Sequence, residues 1–473
     1  MTVTSLSYLL FVFILLALAW AVRSVRARQT LFLAASYVFY ASWSWSFLWV
    51  LVASSLLNYG LGILIRRRPT VGRLWLGVSA NLLLLIVFKY LPPLLLGASS
   101  DSTGLSFLHG IVMPVGISFW TFQALSYLFD LYREEELDPS LLEFSLYLSF
   151  WPTVLAGPVC RLGEMLPQFR KTTALRWTEI SLGGQRILTG LFMKMVLAQL
   201  LAAGFSPGEG VAAGFDQINR GWGGLDVWLL AIGYGFQLFF DFAGYSHIVI
   251  GTALLFGIRL QENFDRPYFS TTPSMFWTRW HMSLSFWVRD YIFMPLATLK
   301  RAMWWRHAAL VLAMTLFGLW HGATPLFLLW GAYHGSLLVG HRKLQQLQRG
   351  WKVSLPAVLS NAISWGATFA LVSLGWILFR AHDLQQALAM LSAVFTPSSY
   401  RHLALRPNFY ILTSLVVGAY FAYDLITLLT NRLGNYVWSR RLFTLLSPVR
   451  YAVVIFLTII WSKQEAVFVY FQF

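Results

Sequence analysis

Long apolar runs alternate with short basic clusters from one end of this chain to the other. Crossing a bilayer takes roughly 17–25 residues. Runs of that order lie near 5–22, 30–45, 47–65, 74–97, 111–131, 183–204, 225–257, 357–379, 409–430 and 448–462, the last of them short. Two more stretches, near 140–158 and 308–340, are apolar but interrupted. Pro152, Gly157 and Pro158 break the first; Gly318, Gly322, Pro325 and Gly331 break the second. Non-helical backbone at membrane depth is tolerated only where it is buried in protein or lines a cavity. Both stretches are therefore predicted as re-entrant segments or paired short helices. The longest polar segments, about 259–275 and 380–408, read as loops or surface helices. With no soluble domain and no internal repeat, residues 1–473 form one all-α polytopic membrane domain of about ten to eleven spans.

Composition supports the pattern. Of the 473 residues, 58% are hydrophobic and 11% charged, against roughly 25% charged in soluble domains. The first run, Leu6 to Val22, has no small-residue cleavage site after it and reads as a retained helix. The net charge of +16 would point to nucleic acid in a soluble protein. Here the basic residues cluster at the ends of apolar runs, as the positive-inside rule produces, so membrane lipid rather than nucleic acid is the expected partner. Arg23, Arg26 and Arg28, then Arg66, Arg67, Arg68 and Arg73, mark cytoplasmic loops and place the N-terminus outside. Counting on places the C-terminus outside too, and puts the loop with Arg380, Arg401 and Arg406 outside against the rule. The single cysteine, Cys160, excludes an internal disulfide and a thiolate metal site.

Two histidines carry the candidate chemistry. His321 lies in Gly318-Leu319-Trp320-His321-Gly322-Ala323, and His281, forty residues earlier, in Phe276-Trp277-Thr278-Arg279-Trp280-His281-Met282-Ser283. Ionisable groups inside a membrane span are rare and by default mark function. Imidazole, with an ordinary pKa of about 6.5, suits proton transfer near neutral pH. The structural alternative for either is a histidine packed between helices. His334 reads as structural, and His307 and His341, beside basic residues, as interfacial. Without His-x-x-x-His or His-Glu-x-x-His spacing, no metal is expected. Asp241 is an intramembrane carboxylate among phenylalanines, suited to a helix–helix hydrogen bond. Asp130 and Arg133 read as an ion pair at the cytoplasmic edge. Arg279 and Arg289 flank His281 and suit phosphate.

Seven segments in order resemble the membrane-bound O-acyltransferase family, in its bacterial branch of alginate O-acetyltransferase-like and teichoic acid D-alanyl transferase-like proteins. They are Asn81 to Tyr90, Pro114 to Arg133, Ala156-Gly157-Pro158 with Arg161, Phe240 to Ser246, Glu262 to Tyr268, Trp280 to Tyr291, and Leu319 to Gly335. The resemblance implies a helical funnel in a bacterial cytoplasmic membrane, with core motifs in about 111–340. His321 would be the base that deprotonates a hydroxyl during acyl transfer, and His281 would orient the acyl carbonyl or tune His321. Trp280, Ser283, Arg289, Asp290, Trp320 and Asp241 would support the site or bind the donor. His247, after Ser246, departs from the acidic or neutral residue expected of alginate-type relatives.

The tail at about 464–473 ends Phe468-Val469-Tyr470-Phe471-Gln472-Phe473, which resembles the family's aromatic endings. By that resemblance Tyr470 is a relay nucleophile; its plainer role is an aromatic anchor. The function implied is O-acetylation of an extracytoplasmic polysaccharide from cytosolic acetyl-CoA as co-substrate, with no bound cofactor. An extracytoplasmic SGNH-hydrolase-like protein would accept the acyl group. The alternative is D-alanyl transfer from an acyl-carrier protein: His281 to Met294 leans that way, and the Gly-Gly-Asn-Arg loop of alginate-type relatives is missing. A transporter or flippase is the reading from another class, since broken helices occur there as well.

Overall fold

The computed structural model describes residues 1–92, 112–171, 176–204, 208–216, 221–348, 356–433 and 437–461. The helices, in chain order, are α1 Leu6–Ala21, α2 Val25–Ala41, α3 Trp45–Arg67, α4 Val71–Tyr90, α5 Ile117–Tyr132, α6 Leu141–Ser149, α7 Leu162–Phe169, α8 Trp177–Ala203, α9 Val211–Asp216 and α10 Gly224–Leu255. They continue with α11 Pro273–Trp277, α12 Met282–Val288, α13 Met303–His321, α14 Pro325–Gln348, α15 Ala357–Arg380, α16 Leu384–Phe395, α17 Pro407–Leu433 and α18 Val437–Trp461. Among the described residues six helices are long and apolar enough to cross a membrane: α3, α4, α8, α10, α15 and the Pro407–Thr427 part of α17. α1, α16 and the Pro448–Trp461 part of α18 are apolar but shorter. The ten or eleven spans read from the sequence thus include segments whose helices are shorter or less apolar than a full crossing needs.

α10 organises the interior. It is apolar on every side, and nearly all of it is buried, as expected of a helix with no polar face. It packs against α8 through two glycine pairs, Gly183 with Gly251 and Gly190 with Gly244, where a Cβ on either partner would meet the other's carbonyl oxygen. Small residues at such crossings let backbones approach where lipid supplies no hydrophobic drive. Beside Gly244, Asp241 of α10 forms a buried ion pair with Lys194 of α8.

The two interrupted stretches resolve differently. In 308–340 only Gly322 to Thr324 leaves the helix. Pro325 opens α14 in the position where its missing N–H is harmless. Gly318 and Gly331 lie inside α13 and α14, where the two helices pack closely. This stretch is therefore a pair of full helices. In 140–158, α6 ends at Ser149 and the backbone from Phe150 to Cys160 runs non-helical and wholly buried, the condition irregular chain must meet at this depth. α6 starts with a capping box, Ser140 Oγ accepting from the Glu143 N–H and the Glu143 carboxylate accepting from the Ser140 N–H at 2.8 Å. In the polar stretch 380–408, Asp383 caps the short α16, and Arg380 and Arg406 pair with Asp216 and Glu209 at 3.1 and 2.9 Å.

Candidate active site

His321 is the last residue of α13 and is 3% exposed. Rings enclose it: Trp320 at 4.5 Å between centroids, Phe379 of α15 at 4.9 Å, and Phe317 and Trp330 at 5.3 Å each. α4 reaches the same helix end. Its last turn, Ile86–Tyr90, is a π-helical turn, a local widening frequent at functional sites. From it Lys89 donates to the Trp320 carbonyl, and the Tyr90 hydroxyl to the Leu319 carbonyl at 3.2 Å. Two of the carbonyls that a helix C-terminus leaves without intrahelical donors are thereby satisfied.

His321 borders a cavity of about 110 Å³, with Lys89, Gly116, Ser118, Phe119 and Trp320 among the other lining residues. A single water needs only about 10–15 Å³ by the same measure, so a small acyl group fits. The start of α5 forms part of the wall. Gly116 there has φ +80°, and a Cβ would run into the Val154 carbonyl of the buried loop. Only glycine meets both demands without strain.

His281 is fully buried and precedes α12 with φ 43° and ψ 54°, a left-handed conformation unusual for a residue with a Cβ. A polar network holds this turn. The Met282 N–H donates to the Asn263 carbonyl at 2.9 Å, and the Asp265 N–H to the Arg279 carbonyl at 3.0 Å. Ser283 Oγ donates to Asn263 Oδ1 at 2.6 Å and accepts from the Val159 N–H at 2.9 Å; Asn263 Nδ2 donates to Ser246 Oγ at 3.1 Å. Three of the seven segments singled out in the sequence, with Val159 beside a fourth, thus meet in one hydrogen-bonded knot. The His281 ring packs against Phe242 at 4.6 Å, Trp320 at 6.2 Å and Phe119 at 6.3 Å. It stands behind Trp320 and Phe119 and is not among the residues lining the cavity, although it and Lys89 both lie within electrostatic reach of His321.

The remaining predicted residues divide. Trp320 sits between the two histidines; Ser283 is in the knot; Trp280 is buried against Phe276 at 5.4 Å and Trp376 at 5.0 Å. Asp241 bonds Lys194, a partner the sequence reading did not name. Arg289 and Asp290 form an ion pair at 2.7 Å, and Arg161 joins them on Asp290. Arg133 also joins this cluster, donating to the Asp290 carbonyl at 2.8 Å and lying over the Tyr291 ring. That corrects the expected Asp130–Arg133 pair: Asp130 instead accepts from the Tyr291 hydroxyl at 2.7 Å, because the π-helical turn Arg289–Phe293 brings Tyr291 between them. For Arg279 the fixed contact is its backbone carbonyl. His334 packs on Trp330 and Trp277 at 5.0 and 5.2 Å, within the helix layer. Tyr470 and the rest of the C-terminal tail lie outside the described residues.

Sequence reasoning missed Lys89, Asn263 and Lys194 as site or support residues. Each is polar and stands in or beside an apolar run, and that was the available signal. In chemical terms the site offers a buried imidazole, a cation and the start of a helix around a space sized for a small acyl group.

A family model described as MBOAT, membrane-bound O-acyltransferase family, matches residues 102–372. The chain is 37% identical over 409 residues to the "Probable alginate O-acetylase" of Pseudomonas aeruginosa, covering 83% of this chain and 74% of that protein. It is 33% identical over 396 residues to the "Peptidoglycan O-acetyltransferase" of Helicobacter pylori, covering 76% and 72%. Over 288 residues it is 29% identical to the "Teichoic acid D-alanyltransferase" of Bacillus subtilis, covering 57% and 69%. The matched stretch contains Gly116, Asn263 and both histidines. With the fold, the buried imidazole and these relatives in agreement, this multi-pass membrane protein belongs to the membrane-bound O-acyltransferase family and is an O-acyltransferase.

Proposed function

We propose that the chain passes an acetyl group from cytosolic acetyl-CoA across the bacterial cytoplasmic membrane, for O-acetylation of an extracytoplasmic polysaccharide, with His321 as general base. The observation that carries this reading is the His321 imidazole on the wall of a cavity of about 110 Å³. The relatives named for alginate and peptidoglycan acetylation favour acetyl as the group transferred. His321 takes the proton of the attacking hydroxyl as its oxygen bonds to the thioester carbonyl carbon. The C–S bond then breaks, and the thiolate leaves with the proton from the imidazolium. His281, behind Trp320, acts through that ring as a positioning residue. The cluster of Arg133, Arg161 and Arg289 supplies forked donors suited to a donor's phosphates. Tyr470 is the candidate first acceptor, and an SGNH-hydrolase-like partner takes the acetyl group on the outer side, where both termini face.

The test uses purified protein, isotope-labelled acetyl-CoA and intact-mass analysis of the C-terminal peptide, comparing wild type with His321→Ala and Tyr470→Phe. Label on Tyr470 that vanishes in His321→Ala supports acetyl relay through the tail. No label and no thiol release, with the partner present, sinks the reading. The relative named as a D-alanyl transferase favours a second one, D-alanyl transfer from a carrier protein; label arriving only from a carrier-borne D-alanyl thioester would select it.

A further inference from the structure

Lys89 is the one cation on the wall of the His321 cavity among its described lining residues. It is partly buried, and its described contacts are the Trp320 carbonyl and the rings of Tyr90 and Trp320, at 6.0 and 5.3 Å from Nζ to the centroids. No carboxylate is among them. The other deeply placed lysine, Lys194, has Asp241 beside it. An ammonium removed from water without an anion is unfavourable unless something negative comes to it. An ammonium carries three donors and no acceptor. The Trp320 carbonyl takes one, leaving the others for the cavity. The first turn of α5, with Ile117, Ser118 and Phe119, also lines this cavity, and a helix start adds positive potential.

We propose that Lys89 is a further catalytic residue of this site: its ammonium holds the oxygen that becomes negative when the hydroxyl adds to the acyl thioester carbonyl. The inference rests on the acyl-transfer reading above and deepens it. In the step, the hydroxyl proton moves to His321, the new C–O bond forms, and the carbonyl π pair moves onto oxygen. Lys89 donates to that oxyanion from the α4 side. When the intermediate collapses, the pair returns, the C–S bond breaks and the thiolate takes the proton from His321. Lys89 neither gains nor loses a proton. The same residue holds the Trp320 carbonyl, so donor and base are fixed to one helix end. A donor placed for the transition state and not for the ground state raises kcat and leaves KM nearly unchanged.

The experiment uses membrane vesicles carrying the full chain and its native neighbours, with acetyl-CoA as donor and released thiol as the readout, per copy of the chain. Lys89→Met removes the charge and the donors. Lys89→Gln keeps an N–H for the Trp320 carbonyl without the charge. Lys89→Arg restores a cation. Removing one oxyanion donor lowers kcat by about 10²–10³. We expect Met and Gln to fall together by that factor with the donor's KM within about threefold, as only transition-state contacts are lost, and Arg to recover much of the loss. Gln at the wild-type rate would mean the bond to Trp320 is all that matters and would overturn the proposal. So would a change confined to KM, or Arg as slow as Met. Should Met fail to accumulate in the membrane, Gln and Arg decide by the same criteria. Wild type that releases no thiol overturns the acetyl-CoA reading on which this assignment rests, and the assignment with it. Wild-type turnover abolished by His321→Ala but untouched in Lys89→Gln overturns this assignment alone.

Discussion

His321 and His281, both buried, share Trp320 as a neighbour but are held by unlike means. His321 ends a full helix, and what packs around its ring is apolar: four rings and the α13–α14 crossing, while α4 bonds only the backbone of the helix end. His281 stands in a left-handed turn, and what fixes it is polar: Asn263, Ser283, Ser246 and the Val159 N–H. Ring packing is spread over many weak contacts and yields gradually. A buried hydrogen-bond knot is not spread out, since losing one member leaves the others unsatisfied in a low dielectric. The base thus has a tolerant mount, and its companion histidine a brittle one.

The comparison makes graded expectations. His321→Ala should lower turnover by about 10²–10⁴, the usual worth of a general base, while the chain still melts cooperatively in detergent; activity above a tenth of wild type would remove His321 from the chemistry. Next comes the ion pair that backs the His281 side. Lys194→Met leaves the Asp241 carboxylate buried beside an apolar chain and should destabilise by about 3–5 kcal/mol. The double variant Lys194→Met with Asp241→Leu should regain most of that, and a double variant no better than the single would show that the pair does more than neutralise itself. Asn263→Ala should cost about 1–3 kcal/mol by thermal melting and slow turnover without touching the cavity. Its counterpart on the His321 side, Tyr90→Phe, removes one bond to the Leu319 carbonyl and should cost about 0.5–1.5 kcal/mol. If Tyr90→Phe proves the more damaging, the contrast between brittle and tolerant mounts is wrong.

A pH-dependent effect is expected outside the six spanning helices, at the start of α6. Arg170, bonded to Glu143 at 2.7 Å, together with the capping box pulls that carboxyl from its ordinary value down to about 2. A lowered folded-state value means this contribution is complete above the unfolded value of about 4.3. It fades as pH falls toward 2. Melting of wild type and Glu143→Gln should therefore converge between about pH 4 and pH 2, and a difference that stays constant over that window would contradict the assignment.

Much of this site was visible in the residues before any fold. Two histidines in apolar sequence carry a cost that demands a reason, and both are buried in the same neighbourhood. Gly318 and Gly331 were misread as breaks, because glycine reads alike whether it ends a helix or lets another helix approach. Pro325 was read as an interruption although it starts a helix. Lys89 is hard to single out in the sequence, because a basic residue at the end of an apolar run looks like a topology signal. Asn263 was hidden in a polar loop, where an asparagine is ordinary.

The sequence by itself determined the membrane class, the helical character and the two histidines, because these follow from apolar length and from the cost of a polar group in lipid. The tertiary structure alone decided that Asn263 ties Ser246 to the Met282–Ser283 turn, that Lys194 answers Asp241 from 47 residues away, that Arg133 goes to Asp290 and not to Asp130, and that Lys89 and His321 line one cavity that His281 does not. Those facts depend on which helix faces cross. Crossing is set by the summed packing of whole helices, at glycine pairs and aromatic layers, which no local stretch of sequence encodes.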